Sequence, residues 1–444
     1  MSFPRYAAYR DSGVAWLREV PEHWGVMQSR RMFSVRSEPA QPSDQMLTAS
    51  QRYGVIFQKD FVEMEGRRVV EVIMGKESLK HVEPNDFIIS MRSFQGGLEW
   101  SRLRGSTSFH YVMVKPLKCV HPPFFAHLFK SAPYIEALRS TTDLIRDGQE
   151  LRYSNFVQVS LPVVPSEEQA AIAAFLDRET ARIDALVEEQ KRLIELLKEK
   201  RQAVISQAVT KGLDPNVPMK DSGVEWLGEV PEHWEMRRVK SVSDFLTSGP
   251  RGWSEQISDE GALFIQSGDL TDDLKIDRTN AKRVLVTDDA DATRARLVNG
   301  DVLVCITGAK TGKVAVCDRL DEPAFINQHI CLIRPTDTIL SAYLGAFLYS
   351  QAGQCYFEVA QYGLKQGLSL ENVKAAEVPV PPLMEQGLIV AHTIHVASEL
   401  HGLLGESEKA MALLQERRSA LISAAVTGKI DVRGLVSQPE PAAA

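Results

Sequence analysis

Two segments of the chain place apolar residues at the alternating three- and four-residue spacing of an amphipathic α-helix. The first begins near Ser166, which together with Gln169 is typical of a capping box, and it ends near Gly212. The second ends near Gly428, and small and polar residues interrupt its stripe. The apolar positions expected on the packed faces are Ile183, Leu186, Leu193 and Leu197 in the first segment and Leu400, Leu403, Leu414 and Leu421 in the second.

The length of these segments indicates how they pack. Each has about 35–40 residues, which corresponds to roughly 50–60 Å of α-helix and exceeds the width of a small domain. A helix packed only on its own domain is the simpler interpretation, but it would leave much of each stripe exposed to water. We therefore expect the two helices to pack on each other as an intramolecular antiparallel coiled coil.

The regions outside these helices have the pattern of α/β or β-rich domains. The runs Phe87–Met91 and Asp301–Ile306 are apolar, follow turn residues and predict buried strands. Helical patterns at Pro123–Arg139 and Ser341–Phe357 lie towards the end of each region. The predicted fold class is α/β (α+β), with two variable domains separated by two long antiparallel helices.

The chain also repeats itself. Asp11–Trp24 reads DSGVAWLREVPEHW and Asp221–Trp234 reads DSGVEWLGEVPEHW, so twelve of fourteen positions are identical. Related segments at Leu161–Gln169 and Val378–Gln386 close the two variable regions, whose remaining sequences look unrelated. Because the two copies are so far apart in the sequence, we expect each copy to stand at the start of a whole domain, and the repeat predicts a pseudo-two-fold arrangement. The predicted boundaries are 1–157 and 216–374 for the variable domains, 158–215 and 375–436 for the helical regions, and 437–444 for a disordered tail.

Composition is that of a folded soluble protein, with 44% hydrophobic and 25% charged residues among 444. The five cysteines lack metal-type spacing and the first ten residues lack an apolar segment, so we expect no zinc ribbon, no secretory signal and a cytoplasmic location. The net charge of -7 excludes a uniformly basic surface but not a local basic face. Residues 11–154 carry +2 and residues 221–370 carry -7, so the second region would need focused basic loops to bind DNA.

One glycine-rich loop carries candidate chemistry. Gly308–Val314 reads GAKTGKV, which differs from a phosphate-binding P-loop in its glycine spacing and in having valine where a hydroxyl would hold magnesium. A basic loop between two strands is better suited to contacting a DNA backbone. We predict that Lys310, Thr311 and Lys313 contact DNA phosphates.

Two other loops are candidates on similar grounds. Residues 90–97 follow a predicted strand and offer Arg92, Ser93 and Gln95 for phosphates or base edges, with two glycines for close approach to DNA. A loop before the second closing segment offers Lys365 and Gln366. An ordinary hairpin with a polar tip remains the alternative for residues 90–97.

The repeated P-E-H-W segments contain His23 and His233 beside Trp24 and Trp234. No third metal ligand stands at a fixed spacing, so we expect a packing role in which each tryptophan is buried and each histidine is hydrogen-bonded. No serine-hydrolase elbow, zinc-protease signature or S-adenosylmethionine-type glycine-rich loop is present. The sequence therefore predicts no catalysis and no cofactor for this chain.

These motifs, taken in order, resemble the specificity (S) subunits of type I restriction–modification systems. The resemblance rests on the repeated D-S-G-V-x-W-L-x-E-V-P-E-H-W opening, the closings with E-Q, the long helices, and the helix ends R-[QS]-A-[VL]-I-S-x-A-V-T. The internal fragments I-S-M-R-S-F-Q-G-G and F-I-N-Q-H-I-C-L-I-R-P are also similar to that family. Together they cover residues 1 to about 436.

The resemblance implies two target-recognition domains, each reading one half of a bipartite double-stranded DNA sequence. It also implies that the helices dock two methyltransferase (M) subunits and that restriction (R) subunits join the complex. S-adenosylmethionine and ATP would belong to those partners. A freestanding DNA-binding regulator and a structural protein-binding adaptor remain alternatives: the first would bind specifically alone, and the second would show no salt-dependent affinity for DNA.

Overall fold

The computed structural model describes residues 3–66, 79–90, 96–117, 119–141, 151–286, 289–361 and 367–435. The chain forms two compact units. The first consists of Met1–Gln190 with Ala410–Ala444, and the second of Lys191–Lys409. Each unit thus contains one of the predicted variable domains and part of both predicted helical regions. The predicted tail, 437–444, lies outside the described residues.

The first unit is built around a four-stranded antiparallel sheet of order β4-β11-β8-β9. Three short strand pairs and a hairpin surround it: β1 with β2, β3 with β12, β7 with β10, and β5 with β6. The strands are β1 Tyr9–Asp11, β2 Glu19–Pro21, β3 Gly25–Gln28, β4 Phe33–Arg36, β5 Leu47–Ser50, β6 Gly54–Phe57, β7 Lys80–Val82, β8 Phe87–Ile89, β9 Glu99–Trp100, β10 Gly105–Thr107, β11 Val112–Pro116 and β12 Ser160–Val163.

Short helices complete the first unit, and its core is aromatic. The ring of Phe33 packs edge-on against Phe87 at 5.7 Å, and Phe87 packs against Phe129 at 5.1 Å, so sheet and helices share one buried cluster. The helices are α1 Ser29–Met32, α2 Gln58–Glu65, α3 Pro122–Phe129, α4 Ala132–Arg139 and α5 Tyr153–Phe156.

The second unit repeats this plan and adds a second sheet. Its strand pairs β13 with β14 and β15 with β24 match those of the first unit, and its four-stranded sheets have the orders β16-β23-β20-β21 and β17-β19-β18-β22. The strands are β13 Met219–Asp221, β14 Glu229–Pro231, β15 Glu235–Arg238, β16 Ser243–Ser248, β17 Ile257–Ser258, β18 Ala262–Ile265, β19 Lys282–Val284, β20 Val302–Cys305, β21 Val314–Val316, β22 Ala324–Ile326, β23 Ile330–Pro335 and β24 Glu377–Val380.

Three helices of the second unit also correspond to helices of the first. Two helices follow the main sheet and a short one precedes the closing strand, as in the first unit. They are α7 Ala290–Ala295, α8 Ser341–Tyr349, α9 Gln351–Ala360 and α10 Leu370–Ala375, with 3-10 turns at Val239–Ser241, Trp253–Gln256 and Ser267–Asp269. The two variable regions, whose sequences look unrelated, therefore share the order of their main sheets, which confirms the internal repeat.

The helical pattern predicted over Ser341–Phe357 is present as two helices. The helix breaks at Ser350, whose hydroxyl accepts a hydrogen bond from Gly353 N at 3.3 Å and caps α9. A side chain at Gly353 would lie 2.5 Å from Phe347 O, so only glycine fits this turn. The pattern at Pro123–Arg139 likewise divides into two helices, and Pro133 lies in the first turn of the second, α4.

The two predicted long helices are present as α6, Ser166–Lys211, and α11, Leu383–Val426. In the first unit the N-terminal part of α6 packs with the C-terminal part of α11, through Ile183 and Leu421. In the second unit Ile205 of α6 and Ile389 of α11 share a cluster. The helices are therefore antiparallel within each unit. No helix among the described residues is long and apolar enough to cross a membrane.

The register predicted for the packed faces was only partly right. Ile183, Leu197, Leu400 and Leu421 are buried and Leu414 is half-buried. Leu186, Leu193 and Leu403, in contrast, are 46%, 41% and 48% exposed.

The reason is that these helices carry adjacent pairs of apolar residues. The buried member of each pair is Val187, Ile194 or Leu404, one position after the predicted leucine. Both members of a pair satisfy a three-or-four spacing, so the sequence allowed two registers and packing selected one.

Candidate nucleic-acid interface

The glycine-rich loop of the second unit joins two neighbouring antiparallel strands. Gly312 N donates to Cys305 O and Cys305 N to Lys313 O, both at 2.8 Å, which closes a hairpin between β20 and β21. Gly308 has φ +97° and Gly312 has φ +88°, a region that favours glycine. A P-loop instead leads from a strand into a helix, so the hairpin agrees with the prediction that this loop is not one.

The three predicted side chains of this loop have different surroundings. Lys310 is exposed, and its Nζ donates to Gly268 O at 2.9 Å. Thr311 Oγ1 donates to Gly308 O at 2.7 Å within the turn. Lys313 Nζ lies 2.8 Å from Asp272 Oδ1. Lys310 therefore presents a cation at the tip, whereas Lys313 already has an acidic partner.

Asp272 belongs to a polar network that joins this loop to a long helix. The hydrogen bond from Lys313 holds the pKa of Asp272 below its usual range. Arg201 of α6 donates to Asp272 O at 3.0 Å and to the Asp273 carboxylate. The loop is thus connected to α6 through two neighbouring aspartates.

The base of the loop is held by His329. Thr307 Oγ1 lies 2.5 Å from His329 Nδ1, and Ile306 N donates to His329 O at 2.9 Å. Thr307 also pairs with Gly367, the first described residue after the predicted contacts Lys365 and Gln366. Lys365 and Gln366 themselves lie outside the described residues.

A fourth basic residue, which the sequence analysis missed, lies in the turn after β16. Gly249 sits so close to β22 that a side chain there would lie 2.1 Å from Ile326 O, and Gly252 has φ +89°. Between them Arg251 is exposed and has no ion-pair partner among the described residues. The run Ser-Gly-Pro-Arg-Gly at 248–252 was the available signal, because glycines flanking proline and arginine indicate a tight basic turn.

In the first unit the predicted contacts Arg92, Ser93 and Gln95 lie outside the described residues. The flanking glycines are described, and both lie close to other parts of the protein itself. Gly97 has φ +77°, and a side chain there would lie 1.9 Å from Phe129 O, so this glycine allows contact with the protein's own backbone.

The hairpin of β5 and β6 contacts the same loop and was also missed. Gln51 lies at the tip of this hairpin, and a Cβ atom added at Gly96 would lie 2.7 Å from its side chain. The next residue, Arg52, is exposed, with its guanidinium 5.0 Å from the centre of the Tyr53 ring. A tip of Gln, Arg and Tyr suits nucleic acid, but nothing in the spacing of these residues singled them out from the sequence.

The repeated histidines and tryptophans have the predicted packing role. Trp24 and Trp234 are fully buried. In the first unit, Glu168 Oε1 accepts from Trp24 Nε1 at 3.0 Å and Glu168 Oε2 lies 2.8 Å from His23 Nε2. We call Glu168, Trp24, His23 and Tyr6 the first cluster.

The second unit has the same arrangement. Glu385 Oε1 accepts from Trp234 Nε1 at 3.0 Å, and Glu385 Oε2 lies 2.7 Å from His233 Nε2. We call Glu385, Trp234 and His233 the second cluster. Among the residues that the structure describes, no group of side chains could hold a metal ion.

The predicted capping box at the start of α6 was wrong. Gln169 is buried, and its Nε2 donates to Val164 O at 2.7 Å and to Cys119 O at 3.0 Å. Gln386 at the start of α11 donates in the same way, to Pro381 O at 2.8 Å. Each glutamine therefore fastens its helix to the preceding segment instead of capping it.

The chain is similar to known proteins in both sequence and fold. A family model described as "Type I restriction modification DNA specificity domain" matches residues 231–393. The chain is 23% identical over 384 residues to the type I restriction enzyme EcoKI specificity subunit of Escherichia coli K12, covering 82% of this chain and 79% of that protein. It is 24% identical over 297 residues to the MjaVIII specificity subunit of Methanocaldococcus jannaschii, covering 63% of this chain and 64% of that one.

One solved structure shares the fold over almost the whole chain. It is described as the structural basis underlying complex assembly and conformational transition of the type I R-M system. The TM-score is 0.67 at 15% identity, and the match covers 92% of this chain and 98% of that one.

Proposed function

We propose that each of the two units of this chain, a member of the family of type I restriction–modification specificity subunits, reads one half of a bipartite DNA target. The observation that carries this proposal is the duplication of the main sheet, β4-β11-β8-β9 and β16-β23-β20-β21, with unrelated sequences in the connecting loops. A shared scaffold with different loops is suited to reading two different half-sites.

The DNA contacts that we propose come from individual basic residues in loops, because the second region as a whole is acidic. The second region carries -7, so phosphate binding there depends on exposed cations in loops, namely Lys310 and Arg251, with Lys313 after it exchanges Asp272 for a phosphate. Lys365, Gln366 and the first-unit residues Arg92, Ser93 and Gln95 remain candidates from sequence. Arg52 is the additional candidate in the first unit.

We further propose that the long helices dock two methyltransferase subunits. Three exposed leucines on α6, at positions 186, 193 and 196, support this, because large apolar side chains left in water on a helix are typical of a protein–protein interface. Restriction subunits would join the assembled complex. In this proposal the chain is not an enzyme by itself, S-adenosylmethionine and ATP belong to its partners, and the complex works in the cytoplasm.

The test is methylation of DNA by the purified chain, by the methyltransferase subunit, and by both together. We expect adenine methylation at a bipartite site only in the mixture. Methyl transfer by this chain alone would contradict the proposal. Specific DNA binding by the chain with no effect of the methyltransferase subunit would favour a freestanding regulator, and an absence of salt-dependent DNA binding in the mixture would favour an adaptor.

A further inference from the structure

The first and the second cluster each connect the repeated opening segment of a unit to the start of one long helix and the end of the other. Glu168 lies in the first turn of α6, and a side chain at Gly428, just after α11, would lie 3.1 Å from the Trp24 ring. Trp24 is therefore bonded to the start of one long helix and packed against the end of the other.

The second cluster has the same construction. Glu385 lies in the first turn of α11, and a side chain at Gly212, just after α6, would lie 3.4 Å from the Trp234 ring. A short strand pair, β3 with β12 or β15 with β24, also links the opening segment to the strand that precedes the helix. The clusters are thus well placed to fix the angle at which a unit's loops are held relative to its helix ends.

The two clusters differ in strength. Glu168 has a side chain only 4% exposed and accepts a third hydrogen bond, from Tyr6 OH at 2.5 Å. Glu385 is 28% exposed and has two donors among the described residues. Hydrogen bonds to a carboxylate are stronger where water is excluded, so the first cluster is the tighter one.

Sequence explains this difference. The repeat aligns Tyr6 with Asn216, an alignment fixed by matching backbone bonds from Glu22 N to Ala8 O and from Glu232 N to Pro218 O. Asn216 is exposed, and its backbone N–H bonds only locally, to Asp214 Oδ1 at 2.9 Å. The second unit therefore lacks the phenol that completes the first cluster.

We propose that Glu168 and Glu385 are positioning residues for target recognition, and that the second cluster is the more compliant of the two. Their role is to hold each set of recognition loops at one angle to the helix ends, so that only a narrow range of gaps between half-sites is accepted. Tolerance of an altered gap then arises mainly at the second cluster. This part rests on the proposed function.

The first experiment needs no DNA and tests rigidity in the full chain. Hydrogen exchange is compared between residues 19–28 and 229–238, which flank the two tryptophans. We expect slower exchange in the first segment, with Tyr6→Phe removing most of the difference and Asn216→Tyr slowing exchange in the second. Equal exchange in the unaltered chain, or no response to Tyr6→Phe, would overturn the difference in rigidity.

The second experiment uses the chain assembled with its methyltransferase subunit and a plasmid library in which the gap varies. Glu385→Gln, and Glu385→Ala as the stronger change, should raise methylation at gaps one base pair from the preferred one several-fold, without changing the bases read. Tyr6→Phe should give a smaller broadening. Thermal unfolding of each variant identifies those that remain folded.

The outcomes separate this proposal from the proposed function. A gap profile for folded Glu385 variants that matches the unaltered complex would overturn the positioning role, because a merely structural bond changes stability and not gap choice. If the unaltered complex methylates nothing, the proposed function fails, and hydrogen exchange still decides whether the clusters differ in rigidity.

Discussion

Lys313 Nζ lies 2.8 Å from Asp272 Oδ1, so the second cation of the glycine-rich loop is already paired with an acid of the same unit. A DNA phosphate can bind Lys313 only by competing with this carboxylate. The carboxylate is exposed, and exposed ion pairs contribute only about 0–1 kcal/mol, so the exchange of partners costs little.

Replacing Asp272 by Asn should therefore strengthen DNA binding by the second unit. The variant removes a negative charge next to Lys313, so we expect affinity to rise and the salt dependence to steepen by about one phosphate contact. Fluorescence anisotropy at several salt concentrations measures both. Asp337→Asn is the matched control, since Asp337 is exposed and has no ion-pair partner among the described residues; an equal gain there would mean that only net charge matters.

The double substitution Lys310→Ala and Lys313→Ala should weaken binding to one half-site. Two lost phosphate contacts lower the slope of log affinity against log salt by about two for a duplex. Arg92→Ala with Gln95→Ala should affect the other half-site instead. Binding of duplexes with one scrambled half-site distinguishes the two, and unchanged binding in both double variants would reject these loops.

Arg251→Ala tests the residue that the sequence analysis missed. If Arg251 reads a guanine, the variant relaxes specificity at one base pair by about 1–3 kcal/mol; if it binds a phosphate, affinity falls evenly over all sequences and the salt slope drops by about one. A panel of single-base substitutions in the second half-site separates these effects. Arg251→Lys keeps the charge but not the bidentate geometry and should rescue only phosphate binding.

Adjacent positions on α6 provide a paired test of packing. Ile194 is buried and Leu193 is 41% exposed, so Ile194→Ala should destabilise the chain by about 2–4 kcal/mol, whereas Leu193→Ala should change stability by less than about 0.5 kcal/mol. Urea unfolding measures both. If the exposed leucines dock a methyltransferase subunit, Leu193→Ala should nevertheless weaken that complex.

Stability of the first unit should depend on His81. Although burial opposes the charge, the hydrogen bonds that the His81 ring makes to Asp44 Oδ2 at 2.6 Å and to Glu83 Oε1 at 2.8 Å raise the pKa of His81. A raised pKa stabilises the folded state fully below the unfolded value of about 6.5, and this contribution is lost as pH rises through the folded value. The unfolding midpoint should therefore fall as pH rises above neutral, and the fall should be smaller in His81→Gln. Parallel pH profiles for the two proteins would contradict this assignment.

Much of the architecture was readable in the sequence because it is carried by local signals. Apolar runs predicted the strands at Phe87 and Val302, and the repeat predicted the duplicated sheet order and the buried tryptophans. The partners of those tryptophans were not readable, since Glu168 and Glu385 lie about 150 positions away and only folding brings them together.

The spacing of residues along the sequence could not determine which apolar positions of the long helices are buried, nor which partners the loop side chains have. The pairs Leu186–Val187 and Leu193–Ile194 allowed two registers until packing selected one. The ion pair of Lys313 depends on Asp272, a residue from a distant loop. Specific base contacts remain predictions, because loops that differ between the two units offer no repeat from which to infer them.

The division of the chain into units has a consequence for its synthesis. The second unit is one continuous stretch, Lys191–Lys409, whereas the first requires both Met1–Gln190 and Ala410–Ala444. Asp431 N donates to Pro4 O at 2.8 Å, so a segment synthesised after the second unit completes a bond with a segment synthesised before it. Domains generally fold as units during translation, so we expect the second unit to fold before the first, whose two segments can come together only after Ala410–Ala444 has been synthesised.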